Sequence, residues 1–202
     1  MASSRAALVL LLALAPLPAS AQSSDFDACV KHSGENAIAA CSTAISSGRY
    51  SGDRLSELYN SRGAEWRLRF DFERAIADYN EALLLAPHYI AALNNRCWAL
   101  AAVGRVKEAL DDCNVSMRVR PGFGITHHNR GFANFRAGNF GEALTDLEAA
   151  LKANPRRPQA LYLRGLIKLR NGDVAGGEAD LAAAQAIRPA VQEEFSRMGV
   201  TR

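Results

Sequence analysis

Four prolines, Pro87, Pro121, Pro155 and Pro189, stand at one constant spacing of 34 residues. A chain with such a period is built by repeating one supersecondary unit, which cannot bury its apolar face alone and must stack on its neighbours. Three columns of small residues share the period: Ala75, Ala109, Ala143 and Gly177; Ala82, Ser116, Ala150 and Ala184; Gly63, Cys97, Gly131 and Gly165. Small side chains at fixed points let two helices approach closely, so each period reads as a helical hairpin. Gly104, Gly138 and Gly172 mark the hairpin turns, where glycine takes the left-handed conformation cheaply. Phe70 stands at that place in the first repeat, so a different or strained turn is expected there. Each proline closes its second helix, because it lacks the donor a continuing helix needs. The expected class is all-α, an α-solenoid of stacked hairpins.

Tyr59-x2-Arg62-Gly63-x2-Trp66, then Ala75-x3-Tyr79, then Pro87 resembles the tetratricopeptide-repeat pattern W-x2-L-G-x2-Y, A-x3-F, P. The resemblance implies a right-handed solenoid of helix-turn-helix repeats at 56–89, 90–123, 124–157 and 158–191. Arg96-Cys97-Trp98-Ala99, Asp112-Cys113-Asn114 and the Glu193 to Val200 ending resemble an exported bacterial subgroup, which implies a periplasmic location. Upstream, Ala37, Cys41 and Ala44 repeat the spacing of Ala75, Tyr79 and Ala82, so 22–55 reads as a degenerate capping hairpin. Residues 190–202 read as a capping helix and tail: Val191, Phe195 and Met198 are spaced by four and three, with Gln192, Glu193, Glu194 and Arg197 between them.

The first residues carry one positive charge, Arg5, an apolar stretch from Ala6 to Leu17, then Ala19-Ser20-Ala21, the small-x-small pattern that signal peptidases cut. The stretch is too short for an anchoring helix and is broken by Pro16 and Pro18. Cleavage after Ala21 would leave Gln22 first, with no cysteine there to carry a lipid and no membrane insertion of the mature chain. That mature chain has 23 basic and 21 acidic residues, a formal charge of +2, which gives no electrostatic case for nucleic acid.

Four cysteines in an exported chain point to disulfides, and the hairpins favour local pairs. Cys97 lies in a column facing the second helix, which carries Cys113, and Cys29 and Cys41 flank one short turn. No CxxC is present, and the histidine nearest any cysteine is His32, so neither a metal site nor a thioredoxin-like redox role is expected. Adjacent His127 and His128 point to different sides of a helix. Arg62, Arg96, Arg130 and Arg164 each precede an aspartate by sixteen residues, namely Asp78, Asp112, Asp146 and Asp180. That register suits one structural ion pair per hairpin better than an anion-binding ladder. Without a phosphate loop, G-x-S-x-G or H-E-x-x-H motif, no enzyme and no cofactor is expected.

The first helix of each repeat carries a second stripe, away from the hairpin seam. It comprises Asn94, Trp98, Ala101 and Ala102, then His128, Phe132, Phe135 and Arg136, then Tyr162, Leu166, Leu169 and Arg170. The resemblance implies that this stripe lines a concave groove holding a peptide or a partner helix. There the aromatics would be anchors, and Asn60, Asn94, Asn95 and Asn129 could hydrogen-bond a peptide backbone. The other reading is that Trp98 and Phe132 pack between repeats. The function expected is a non-catalytic protein- or peptide-binding scaffold; the alternative is a structural or assembly subunit that forms homo-oligomers through the solenoid surface.

Overall fold

The computed structural model describes residues 19–202. The export segment therefore lies outside the described residues, except for its last three positions, which open the first helix. Eleven helices follow one another among the described residues: α1 Ala19–Lys31, α2 Glu35–Ser46, α3 Gly52–Leu68, α4 Phe72–Leu85, α5 Ile90–Ala102, α6 Val106–Val119, α7 Gly124–Ala137, α8 Phe140–Ala153, α9 Pro158–Arg170, α10 Val174–Ile187 and α11 Val191–Arg197. Consecutive pairs form five hairpins, and each first helix also meets the first helix of a neighbouring hairpin.

The period explains where the helices stop. Ala86, Arg120, Asn154 and Arg188, each just before a proline, leave the helical region with φ between −138° and −146° and ψ between 84° and 96°. A following proline ring clashes with a helical residue before it, so extended backbone is preferred there. At the hairpin turns Gly104, Gly138 and Gly172 take φ of 83°, 80° and 85°. The first repeat makes the corresponding turn with Phe70 itself at φ 62°, a conformation that costs a side-chain-bearing residue about 1–2 kcal/mol.

Two columns meet at each hairpin seam. A Cβ added at Gly63 would stand 2.7 Å from the Tyr79 ring, at Gly131 3.0 Å from Leu147, and at Gly165 3.0 Å from Leu181. In the second repeat the same two positions hold Cys97 and Cys113, which are disulfide-bonded with their α carbons 5.7 Å apart. The seam is already close enough for a bridge, which needs α carbons within roughly 7 Å. Cys29 and Cys41 are bonded across α1 and α2, with α carbons 4.5 Å apart. Phe26, Tyr50 and Leu58 pack around that bridge as a separate small core.

Each of the four hairpins from α3 to α10 also carries its ion pair. Arg62, Arg96, Arg130 and Arg164 each donate through Nε and Nη2 to both oxygens of Asp78, Asp112, Asp146 and Asp180, at 2.6–2.9 Å. Three of them also reach back to the preceding hairpin, donating to Ser42 Oγ, Asn80 Oδ1 and Asn114 Oδ1. The ladder thus ties four hairpins internally and three of them to the one before.

Candidate functional site

The stripe foreseen on the first helices forms one face, and the chain's own C-terminal residues lie on it. The Phe195 ring is centred 6.0 Å from Trp98 on α5, 5.6 Å from Phe132 on α7 and 5.0 Å from Tyr162 on α9, where the two rings are stacked at 10°. One ring that meets three successive first helices occupies the groove those helices line. Val191 and Phe195 are wholly buried, and Met198 and Val200 nearly so. Arg136 Nη1 donates to the Met198 carbonyl at 2.9 Å. At the far side the Arg197 guanidinium sits 3.7 Å over Phe70, the residue in the left-handed turn of the first repeat. Residues 191–200 therefore do more than cover the last hairpin: they run across the inner face from the fourth repeat to the first.

The expected groove residues fall into three groups. Trp98, His128, Phe132 and Tyr162 are brought together, with Trp98 centred 4.4 Å from Phe132 and stacked 5.1 Å from His128. Asn60, Asn95 and Asn129 are spent between repeats: Asn95 Nδ2 donates to Asn60 Oδ1 at 3.0 Å, and Asn129 Nδ2 to the Asn94 carbonyl at 2.7 Å. Phe135 and Arg170 gather on Phe140 at a hairpin turn, at 5.6 Å edge-to-face and 4.4 Å over the ring. Arg136 belongs with the first group, through Met198.

Beneath the aromatics lie polar groups with no partner. Both amide atoms of Asn94 and Nδ1 of His128 are buried without a hydrogen bond, as are the Nε atoms of Arg67 and Arg157. Arg67 also lies beside the Tyr79 hydroxyl, which lacks well-formed hydrogen-bond geometry. Burial, with Arg157 and Arg67 nearby, pushes the His128 imidazole down to about 3, so it is neutral near pH 7. Burial likewise lowers the affinity of Arg157 for its proton. His127, one residue away, faces the opposite side, with Nδ1 3.0 Å from Asp146 Oδ1. No cluster of three or more metal-ligating side chains occurs among the described residues.

Reasoning from the sequence missed Phe195, Phe70, Arg67 and Arg157 as groove residues. A signal existed for the arginines. Arg67 shares its column with Ala101, Phe135 and Leu169, and Arg157 shares its own with Tyr89, Phe123 and Val191, so both break the repeat.

Residues 130–191 match the tetratricopeptide repeat family model. No curated protein matches the chain. Among solved structures, residues 41 to the end of MamA from Desulfovibrio magneticus superpose with a TM-score of 0.65 at 14% identity, covering 85% of this chain and 95% of that one. TTC0263, a thermophilic TPR protein of Thermus thermophilus, superposes at 0.64 with 17% identity, covering 82% and 88%. The first TPR domain of Spaghetti (RPAP3), bound to the HSP90 peptide SRMEEVD, superposes at 0.55 with 20% identity, covering 62% and 99%. The hairpin period, the small-residue seams and the solved structures agree on the fold, a solenoid of helical hairpins like those of tetratricopeptide-repeat proteins, and the family match itself covers residues 130–191.

Proposed function

We propose that the protein is a non-catalytic scaffold of the bacterial cell envelope that binds a protein or peptide partner in the groove of its first helices. The observation that carries this reading is Phe195, a single ring seated among Trp98, Phe132 and Tyr162. A face that accepts one short helix from its own chain has the shape and apolar anchors to accept one from another, and buried aromatic anchors dominate such interfaces. The peptide-bound state of the Spaghetti domain is a precedent in the same fold.

The envelope assignment draws on the export pattern ending at Ala21 and on two disulfides, which persist in oxidising compartments. No described helix is long and apolar enough to cross a membrane. N-terminal sequencing of protein from envelope fractions should begin at Gln22; retained Met1 would overturn the export step.

Affinity capture from envelope extracts tests the groove. A partner recovered with the wild type should be lost with Trp98→Ala at unchanged helical content, and retained with Glu81→Lys on the exposed side of α4. The reverse result would replace this reading with that of a structural subunit assembling through its outer surface.

A further inference from the structure

The resident segment satisfies the groove's apolar surface and leaves its polar floor unmet. Phe195, Met198 and Val200 are buried against the aromatics. The segment's Glu194 stands on the wall of the same cavity as Arg67 but accepts from Arg188 Nη1 at 3.2 Å rather than from Arg67 or Arg157. Asn94, His128, Arg67 and Arg157 remain with buried atoms unpaired, and no carboxylate pairs with either arginine among the described residues. Every arginine of the hairpin ladder, by contrast, has an aspartate bonded at both oxygens. Buried donors without acceptors carry an unfavourable desolvation that an incoming acceptor relieves. Room exists for one: a cavity of about 90 Å³, the space of about three waters, is lined by Arg67, Trp98, Gln159, Arg188, Glu194 and Met198.

The segment is also built to leave. It joins α10 through Pro189 and Ala190, its helix has 7 residues, and its side-chain attachments include Arg136 to the Met198 carbonyl, Gln185 Nε2 to Gln192 Oε1, Arg188 to Glu194 and Arg197 over Phe70. Its departure would break no hairpin and no ladder pair. A tethered occupant competes at an effective concentration of roughly millimolar, so only a ligand with contacts the segment lacks can replace it.

From this we infer that residues 191–200 are a resident ligand of the groove, displaced by a short helical partner that puts a large apolar anchor in the place of Phe195 and a side-chain carboxylate against Arg67 in the cavity beside Trp98. The inference rests on the groove reading above.

The test uses two N-acetylated, C-amidated fluorescent peptides, one with the sequence of residues 189–200 and one with Glu in place of Met198. Binding is followed by anisotropy against the full mature chain, its Arg197→Ala variant, and Arg197→Ala combined with Arg67→Gln. Arg197 is exposed, so its removal loosens the segment without opening a cavity; Phe195→Ala, checked for folding by circular dichroism, is the second loosening variant. Both peptides should bind the loosened chain about tenfold more tightly than the wild type. The Glu peptide should gain about a further tenfold, a gain that Arg67→Gln abolishes; each tenfold step is about 1.4 kcal/mol. Equal binding of the two peptides, or a preference that survives Arg67→Gln, overturns the carboxylate partner and leaves the groove reading standing. Failure of both peptides to bind either loosened variant, with both variants folded, overturns the groove reading as well. A dimer by light scattering that the peptides dissociate would make the resident segment that of a second copy, and the intramolecular ligand would be wrong.

Discussion

Among the half-buried arginines of the described residues, two sets stand in contrast. Arg62, Arg96, Arg130 and Arg164 recur every 34 residues, and each grips both oxygens of an aspartate. Arg67 and Arg157 recur in no column, and their buried Nε atoms have no partner. The first set holds hairpins together: its charge is neutralised within the fold, so the fold dictates it wherever it repeats. The second set grips no aspartate and breaks the repeat. On the proposed reading, departure from the period together with an unmet polar group at the groove marks the residues assigned to a ligand, as against those assigned to the fold.

That contrast breaks first at Asp146, where the ladder is densest: it accepts from Arg130 twice, from Asn134 Nδ2 at 3.3 Å, and lies 3.0 Å from His127 Nδ1. Asp146→Ala should cost about 3–5 kcal/mol in urea unfolding, since it leaves a partly buried guanidinium unpaired. A loss below about 1 kcal/mol would put the ladder on a par with surface pairs.

The groove's own signature is acid sensitivity. His128 is held at about 3 in the folded chain by burial and by Arg157 and Arg67, against about 6.5 when unfolded. Below about pH 6.5 the unfolded state takes up a proton that the folded state refuses, so stability is full above that pH and falls toward pH 3. At about 1.4 kcal/mol per pH unit the loss between pH 7 and pH 4 approaches about 3 kcal/mol. His128→Phe keeps a ring against Trp98 and removes the proton site, so its unfolding free energy should fall correspondingly less over that range. Equal pH slopes for the two proteins would show that the imidazole is solvated.

Within the periodic set, the Cys97–Cys113 bridge takes the place of the glycine and large-residue pair that closes the other seams. Its sequence separation is 16 residues, and closing a loop near 15 is worth about 3 kcal/mol in the chain-entropy model. Cys97→Ala with Cys113→Ala should therefore lower the melting temperature while the far-ultraviolet spectrum stays helical. An unchanged melting temperature would mean that the seam's packing alone sets the hairpin. The smallest effect belongs to Arg67→Gln: with no ion pair to lose and a half-buried charge removed, stability should change by less than about 1 kcal/mol in either direction, against the several expected at Asp146. A large destabilisation there would erase the distinction between the two sets.

The sequence by itself determined the hairpins, their boundaries at the prolines, the close seams, the sixteen-residue Arg–Asp register and the cysteines that share a seam. Each is local, set by helical spacing and turn chemistry within one period, and a period repeated four times states it four times. It also placed Trp98, His128, Phe132 and Tyr162 on one face, because a helical stripe is a local property. Tertiary structure decided the uses of that face. Asn60, Asn95 and Asn129 became contacts between repeats because stacking brings successive helices within hydrogen-bonding reach. The course of α11 was decided there too. An apolar stripe of Val191, Phe195 and Met198 can cover the end of a hairpin or fill a groove, and its spacing is the same in either case. Only the curvature of the assembled stack brings Phe195 against Trp98, 97 residues earlier in the chain, and Arg197 over Phe70.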